Sequence, residues 1–185
     1  MNNFIYHNPT KLVFGKGQIA RLPKLIPAGK RIMLTFGGGS VKRNGVYDQV
    51  VAALEGRDLV EFWGIEANPS VETLREAIAL GKERKVDFLL AVGGGSVIDS
   101  AKAIAMGVAT KTDPWQFAST GTKPDTTLPV GTVLTLAASG SESSNSCVLT
   151  NEETKEKRGI TSETNRPRIS FLDPENTYTV SKFQI

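Results

Sequence analysis

Short apolar runs alternate with longer stretches in which apolar residues recur every three or four positions, and this alternation organises the chain. Residues 31–36 (Arg-Ile-Met-Leu-Thr-Phe), 59–63, 88–92 and 128–136 read as strands. Phe88-Leu89-Leu90-Ala91-Val92, apolar throughout, is the kind of strand that is buried on both faces. Between the strands, Ile19, Leu22 and Ile26 share one helical face, as do Val50, Val51 and Leu54, and then Val97, Ala101, Ile104 and Ala105. A helix is expected from about Val46 to near Gly56. Another should start at Asn68-Pro69-Ser70, with the proline in its first turn and Ser70 as cap. Glu72 and Glu76 near its start, and Lys82, Arg84 and Lys85 near its end, suit the helix dipole.

Strand, helix, strand, helix, strand, helix, with short connections, predicts a parallel α/β sheet of Rossmann-like type with helices on both faces. Residues 4–6 and 11–14 read as two further short strands around the turn at Asn8-Pro9. Beyond Gly107 the pattern loosens. Residues 112–115 and 121–124 read as loops, residues 146–150 and 169–172 as the last strands, and the charged stretch 151–158 as a hairpin turn. Asp173-Pro174 opens a new segment running to Ile185, with no linker or domain boundary before it, so residues 1–185 are expected to form one domain.

Two strand ends carry the same five residues: Gly37-Gly38-Gly39-Ser40-Val41 and Gly93-Gly94-Gly95-Ser96-Val97. Glycines let a backbone turn sharply and approach a ligand closely, and Ser96 reads as the N-cap of the helix after it. Strand, glycine turn and helix start together make an anion site, because unpaired N–H groups and the positive end of the helix dipole converge there. The plainer reading is a tight strand-to-helix turn; the flanking strand and helix favour a phosphate-binding loop, although GGGS is not the GxGxxG fingerprint.

Composition narrows the class without deciding it. Hydrophobic residues at 39% and charged residues at 22% are ordinary for a soluble globular protein. A net charge of +3, without basic and aromatic residues interleaved, gives no case for nucleic acid. No apolar run approaches the ~18–20 residues of a membrane span. The N-terminus lacks the pattern of a signal peptide, and the lone Cys147 suits a buried position in a reducing cytoplasm.

Two glycine turns on one edge of a parallel sheet fit a dinucleotide better than a mononucleotide, with the ligand at the carboxyl ends of the strands. The first turn offers Ser40, and then Lys42 and Arg43, where an NAD binder commonly has an acidic residue. A hydroxyl and nearby cations accept a 2′-phosphate, so the reading leans to NADP(H) over NAD(H). Lys42 and Arg43 read equally as a solvated surface pair. Asp99, in the first turn of the helix after Ser96, is either a capping-turn acid or a ligand contact. Thr135, Ser139 and Ser141 lie at a later strand end, in a polar loop that also holds Ser144. No catalytic set assembles: His7 is the only histidine, which supports neither a metal site nor a Ser-His-Asp arrangement, and the glycine loops lack a Walker lysine.

With these residues in view, the chain resembles the N-terminal half of iron-containing (group III) alcohol dehydrogenases, nearest the NADP(H)-dependent aldehyde reductase and butanol dehydrogenase subgroup. The resemblance runs through Asn8-Pro9-Thr10, Phe14-Gly15-Lys16-Gly17, Gly37 to Gly45, Glu66-Ala67-Asn68-Pro69, Gly93 to Asp99, Ser139-Gly140-Ser141-Glu142 and Leu172-Asp173-Pro174. It implies the dinucleotide-binding domain of the dehydroquinate synthase-like fold. Gly94, Gly95 and Ser96 would lie on the pyrophosphate, Gly39 and Ser40 at the adenosine 2′ position, and Asp99, Thr135 and Ser139 nearer the ribose and nicotinamide. Lys157 matches a family lysine that contacts the cofactor. The candidate cofactor-binding set is therefore Gly38, Gly39, Ser40, Gly93, Gly94, Gly95, Ser96, Asp99, Thr135, Ser139, Ser144 and Lys157.

The chain departs from the family pattern at Ser139, usually threonine, and at Ser181, usually proline. The family's second half is a helical domain supplying one Asp and three His to a catalytic divalent metal, usually iron or zinc. None of these ligands is expected here, so the chain alone is expected not to reduce aldehydes. The surface that would meet that domain is expected to favour homo-oligomers. Two other readings stand beside this one. One is a stand-alone dinucleotide-binding module without chemistry; the other keeps the fold with different chemistry, as in dehydroquinate synthase or glycerol-phosphate dehydrogenases.

Overall fold

The computed structural model describes residues 3–178. Strands β1 (Lys11–Phe14), β2 (Arg31–Phe36), β3 (Asp58–Phe62), β4 (Phe88–Gly93) and β5 (Val130–Leu134) precede β6 (Ser146–Asn151), β7 (Glu156–Thr161) and β8 (Ile169–Leu172). Six of them form one sheet in the order β1-β8-β5-β4-β2-β3, with every neighbouring pair parallel. The other two, β6 and β7, make a separate antiparallel hairpin. The helices are α1 (Leu22–Leu25), α2 (Ser40–Arg43), α3 (Val46–Ala53), α4 (Val71–Glu83), α5 (Gly95–Ala109) and α6 (Pro114–Thr120).

Alternation along the strands divides the core into two layers. Leu34, Leu90 and Val133 pack with Leu22, Val50 and Leu54 on one face of the sheet. Met33, Leu89 and Ala91 pack with Leu74, Ile98 and Ile104 on the other. Helices α1 and α3 therefore cover one face, and α4 and α5 the opposite one. The sheet is buried on both sides, as the near-continuous apolar composition of β2 and β4 requires.

The strand order fixes where a ligand can enter. From β2 the chain moves outward to the edge strand β3, then returns to place β4 on the other side of β2 and β5 beyond it. The connections leaving β2 and β4 thus diverge onto opposite faces, which opens a crevice at their carboxyl ends.

Several sequence expectations are corrected. Residues 4–6 are not a strand: they find no partner strand among the described residues, and Phe4, Ile5 and Tyr6 are exposed. Residues 114 and 115, expected in the loop 112–115, instead open α6, because Pro114 sits where its missing N–H costs nothing and Asp113 caps the turn by accepting from Trp115 N at 2.8 Å. The charged stretch after Asn151 is a turn only as far as Lys155; from Glu156 it pairs with β6. A short helix, α2, precedes α3. Ser70 caps α4 as expected, accepting from Thr73 N at 3.3 Å, but Pro69 lies before the cap rather than in the first turn. Ser181, and the part of 173–185 beyond Tyr178 that is expected to lead to a further domain, lie outside the described residues.

Candidate functional site

Three adjacent strands end at the crevice. Phe36 pairs with Val92 and Gly93 with Leu134, so the turns after β2, β4 and β5 leave the sheet side by side. Thr135 N donates to Gly93 O at 3.0 Å, which seats the polar loop after β5 directly beside the second glycine turn.

That turn starts α5. Gly94 is the N-cap, in extended conformation (φ −90°, ψ −168°), and no side chain caps the helix. Helices α4 and α6 are each closed by a side-chain oxygen. Ser96 is not the cap that the sequence predicts: it lies within the first turn, and its Oγ donates to Ala67 O at 2.5 Å. The first N–H groups of a 15-residue helix are left without a side-chain acceptor, at the positive end of its dipole. The glycines are required by space. A Cβ on Gly93 would press on Val97 at 2.7 Å, one on Gly94 would meet Leu136 at 3.3 Å, and one on Gly95 would run into Ser139.

Asp99 and Lys102 support this arrangement from beneath. Asp99 Oδ1 accepts from Ser141 Oγ at 2.5 Å and Oδ2 from Val148 N at 3.0 Å. Lys102, fully buried, donates to Ser141 Oγ (2.9 Å), Ser144 O (3.1 Å), Ser144 Oγ (3.2 Å) and Ser146 O (2.8 Å). Burial lowers the Lys102 ammonium to about 8 against the pull of the Asp99 carboxylate. Burial likewise raises Asp99, opposed by the bonds from Ser141 and Val148. Cys147, between these groups and fully buried as expected, is pushed up to about 12 by desolvation. Ser144 faces inward to Lys102, whereas Ser139 is exposed on the rim.

The first glycine turn forms the other side of the crevice. Gly39 is left-handed (φ +94°) and begins the four-residue helix α2, with Gly38 and Ser40 exposed. Lys42 rests on an aromatic ledge: its Nζ is 4.2 Å from the Trp63 ring centroid and 5.1 Å from that of Tyr47. Trp63 in turn stacks on Phe36 at 4.1 Å. Glu61 fixes the ledge by accepting from Tyr47 Oη (2.9 Å) and Trp63 Nε1 (2.7 Å). Arg43 is exposed. Lys157, on β7, donates to Asn68 Oδ1 at 3.0 Å and so joins the hairpin to the loop before α4.

The structure thus gathers Gly38, Gly39, Ser40, Gly93, Gly94, Gly95, Ser96, Thr135 and Ser139 around one crevice, with Asp99 and Ser144 committed to its support. Sequence reasoning missed Lys102 and the Trp63 ledge. Lys102 had a signal: it and Asp99, three positions apart, are the only charges on α5. Among the described residues no three His, Cys, Asp or Glu side chains gather as a metal would require.

A model of the iron-containing alcohol dehydrogenase family matches residues 9–174. The chain belongs to that family. It is 52% identical to the probable NADH-dependent butanol dehydrogenase 1 of Bacillus subtilis, over 98% of this chain and 48% of the relative. It is 48% identical to the NADPH-dependent aldehyde reductase YqhD of Escherichia coli, over 100% of this chain and 48% of the relative. The crystal structure of Escherichia coli YqhD superposes with a TM-score of 0.94 at 48% identity, covering 99% of this chain and 48% of that one. NADH-dependent butanol dehydrogenase A of Thermotoga maritima gives the same TM-score at 44% identity, covering 100% of this chain and 47% of that one. The chain spans about half the length of the curated relatives it matches. Among the described residues no helix is long and apolar enough to cross a membrane.

Proposed function

We propose that residues 1–185 form the dinucleotide-binding unit of a metal-dependent alcohol dehydrogenase or aldehyde reductase, taking NADP(H) in preference to NAD(H). The observation that carries the reading is the uncapped start of α5 at the strand-order reversal, beside a second glycine turn. The N–H groups at Gly95 and Ser96 would hold the pyrophosphate. Gly38, Gly39 and Ser40 would receive the adenosine ribose, with Lys42 close by to meet a 2′-phosphate. Thr135 and Ser139 would line the nicotinamide side, and Lys157 and Asn68 the rim.

Relatives' names divide between NADH and NADPH, so the preference rests on the hydroxyl of Ser40 and the cation of Lys42. The bound cofactor supplies hydride; this chain's residues bind it, orient it and keep its charged groups paired. No group of side chains among the described residues fits the family's metal. Reduction of an aldehyde by the family's metal chemistry would need metal ligands beyond this set.

Fluorescence titration of the protein with NADPH, then NADH, tests the proposal. Saturable binding, tighter for NADPH, is expected. Equal affinities would remove the role given to Ser40 and Lys42, and no binding of either nucleotide would overturn the reading.

A further inference from the structure

Contacts between the nicotinamide half and the polar loop after β5 require that the loop be held in place. The stretch 135–146 is rich in serine and contains Gly140 in a left-handed conformation (φ +69°), and its internal bonds, such as Ser143 N to Gly140 O (3.1 Å) and Ser144 N to Ser141 O (3.4 Å), are all short-range. Bonds from outside fix it, among them Thr135 N to Gly93 O (3.0 Å), Ser162 N to Asn145 O (3.0 Å) and Asn145 Nδ2 to Glu163 Oε1 (2.6 Å). Ser170 Oγ donates to Glu142 O at 2.5 Å, Asn8 Nδ2 and Arg166 Nη1 both donate to Ser143 O, at 3.0 and 2.9 Å, and Lys102 donates to the four oxygens of Ser141, Ser144 and Ser146.

Lys102 holds more of the loop than any other of these tethers. An ammonium has three N–H donors and no acceptor, and here they are divided among four oxygens drawn from three residues of the loop. No neutral side chain of similar size could satisfy that set. Ser141 passes the interaction on, since its hydroxyl accepts from Lys102 and donates to Asp99. Lys102 and Asp99 both stand on α5, the helix whose start is the proposed phosphate site. One rigid element thus carries the pyrophosphate donors at one end and the anchor of the opposite loop a few residues on. The carboxylates of Asp99 and Glu142 offset the buried charge, while the Arg166 guanidinium opposes it.

We propose that Lys102 is a positioning residue for cofactor binding: it fixes the 135–146 loop over the start of α5 so that Thr135 and Ser139 meet the nicotinamide half of the dinucleotide. This inference rests on the dinucleotide reading. It goes beyond it by separating the two halves of the ligand energetically, the adenosine half depending on the first glycine turn and the nicotinamide half on Lys102.

The test compares NADPH with 2′-phospho-ADP-ribose, which lacks the nicotinamide, by calorimetry on wild-type protein and Lys102→Met at pH 7, with amide hydrogen exchange measured alongside. Lys102→Met should weaken NADPH at least tenfold while changing the fragment less than twofold, and exchange should accelerate at residues 139–146 with the sheet unchanged. Equal weakening of both ligands would reduce Lys102 to a general structural residue and overturn the proposal, as would unchanged affinity. If Lys102→Met does not fold, Ser141→Ala takes its place: a selective loss of NADPH affinity of about threefold supports the proposal, and no selective loss overturns it. Wild-type protein that binds neither ligand would overturn the dinucleotide reading instead, and the exchange measurement would still decide whether Lys102 fixes the loop.

Discussion

Gly-Gly-Gly-Ser-Val ends β2 and again ends β4, yet the two copies fold into different things. In the first, Gly39 adopts a left-handed φ of +94° and the helix it opens lasts four residues. It stops because Asn44 turns its side chain forward, its Oδ1 accepting from Val46 N at 3.2 Å, and Gly45 is left-handed. In the second, the glycine before the helix is extended and the helix runs 15 residues, because Ile98, Ala101, Ile104 and Ala105 continue the apolar face that packs on the sheet. The first copy uses glycine for its backbone freedom. The second uses it for the missing side chain, since the space at Gly93, Gly94 and Gly95 is taken by Val97, Leu136 and Ser139. The residues downstream of a glycine triplet, more than the triplet itself, decide its shape.

The largest contrast is electrostatic. Only the second copy opens a helix with a buried ion, and pH isolates it. Lys102 has a folded pKa of about 8 against an ordinary 10.5, so between these values the unfolded chain binds more protons and stability rises with pH. The swing is about 3 kcal/mol. Urea midpoints of wild-type protein and Lys102→Met should diverge in favour of wild type from pH 8 to 10.5; parallel curves would show that Lys102 titrates normally. Cys147 works in the opposite direction in both proteins: held at about 12, its thiol keeps its proton in the fold, so its contribution is full below pH 9 and declines above.

Sterics come next. Gly95→Ala forces Ser139 and the α5 start apart and should cost about 2 kcal/mol, with loss of NADPH binding. Ser139→Gly added to that variant should recover part of the stability; no recovery would mean that the crowding lies elsewhere. Gly39→Ala meets no atom within 4 Å but must hold a left-handed φ, and should cost about 1 kcal/mol in thermal unfolding. Gly38→Ala has open space and no such φ; its stability should stay within about 0.5 kcal/mol while NADPH affinity falls. Unchanged affinity in Gly38→Ala would remove the first turn from the site.

The parallel sheet was legible because β2, β4 and β5 are buried strands, whose apolar runs between glycine turns leave few other readings. Strand β7 was not, because Glu156, Lys157 and Arg158 look like a solvated turn until Asn151, Thr150 and Leu149 on β6 give them a partner strand. Residues 4–6 erred the other way: apolar residues without a neighbouring strand make no sheet. At the site, the glycine turns announced themselves by repetition. Ser96 reads as a cap because a serine after glycines has that look, and only the placement of Ala67 shows another acceptor for its hydroxyl. Lys102 gives little sign of itself because a single lysine on a helix ordinarily reaches water along its stem, and its burial depends on a loop some forty residues away in sequence.

The aromatic ledge gives the first turn an optical readout. The chain has two tryptophans, and they pack against opposite faces of the sheet, Trp63 beside the first glycine turn and Trp115 on α6. A cation held 4.2 Å from an indole ring perturbs its excited state, and drawing Lys42 towards a phosphate on Ser40 would release that perturbation. Emission from Trp63 should therefore change with occupancy of the adenosine end, while Trp115 in the same molecule stays constant as an internal reference.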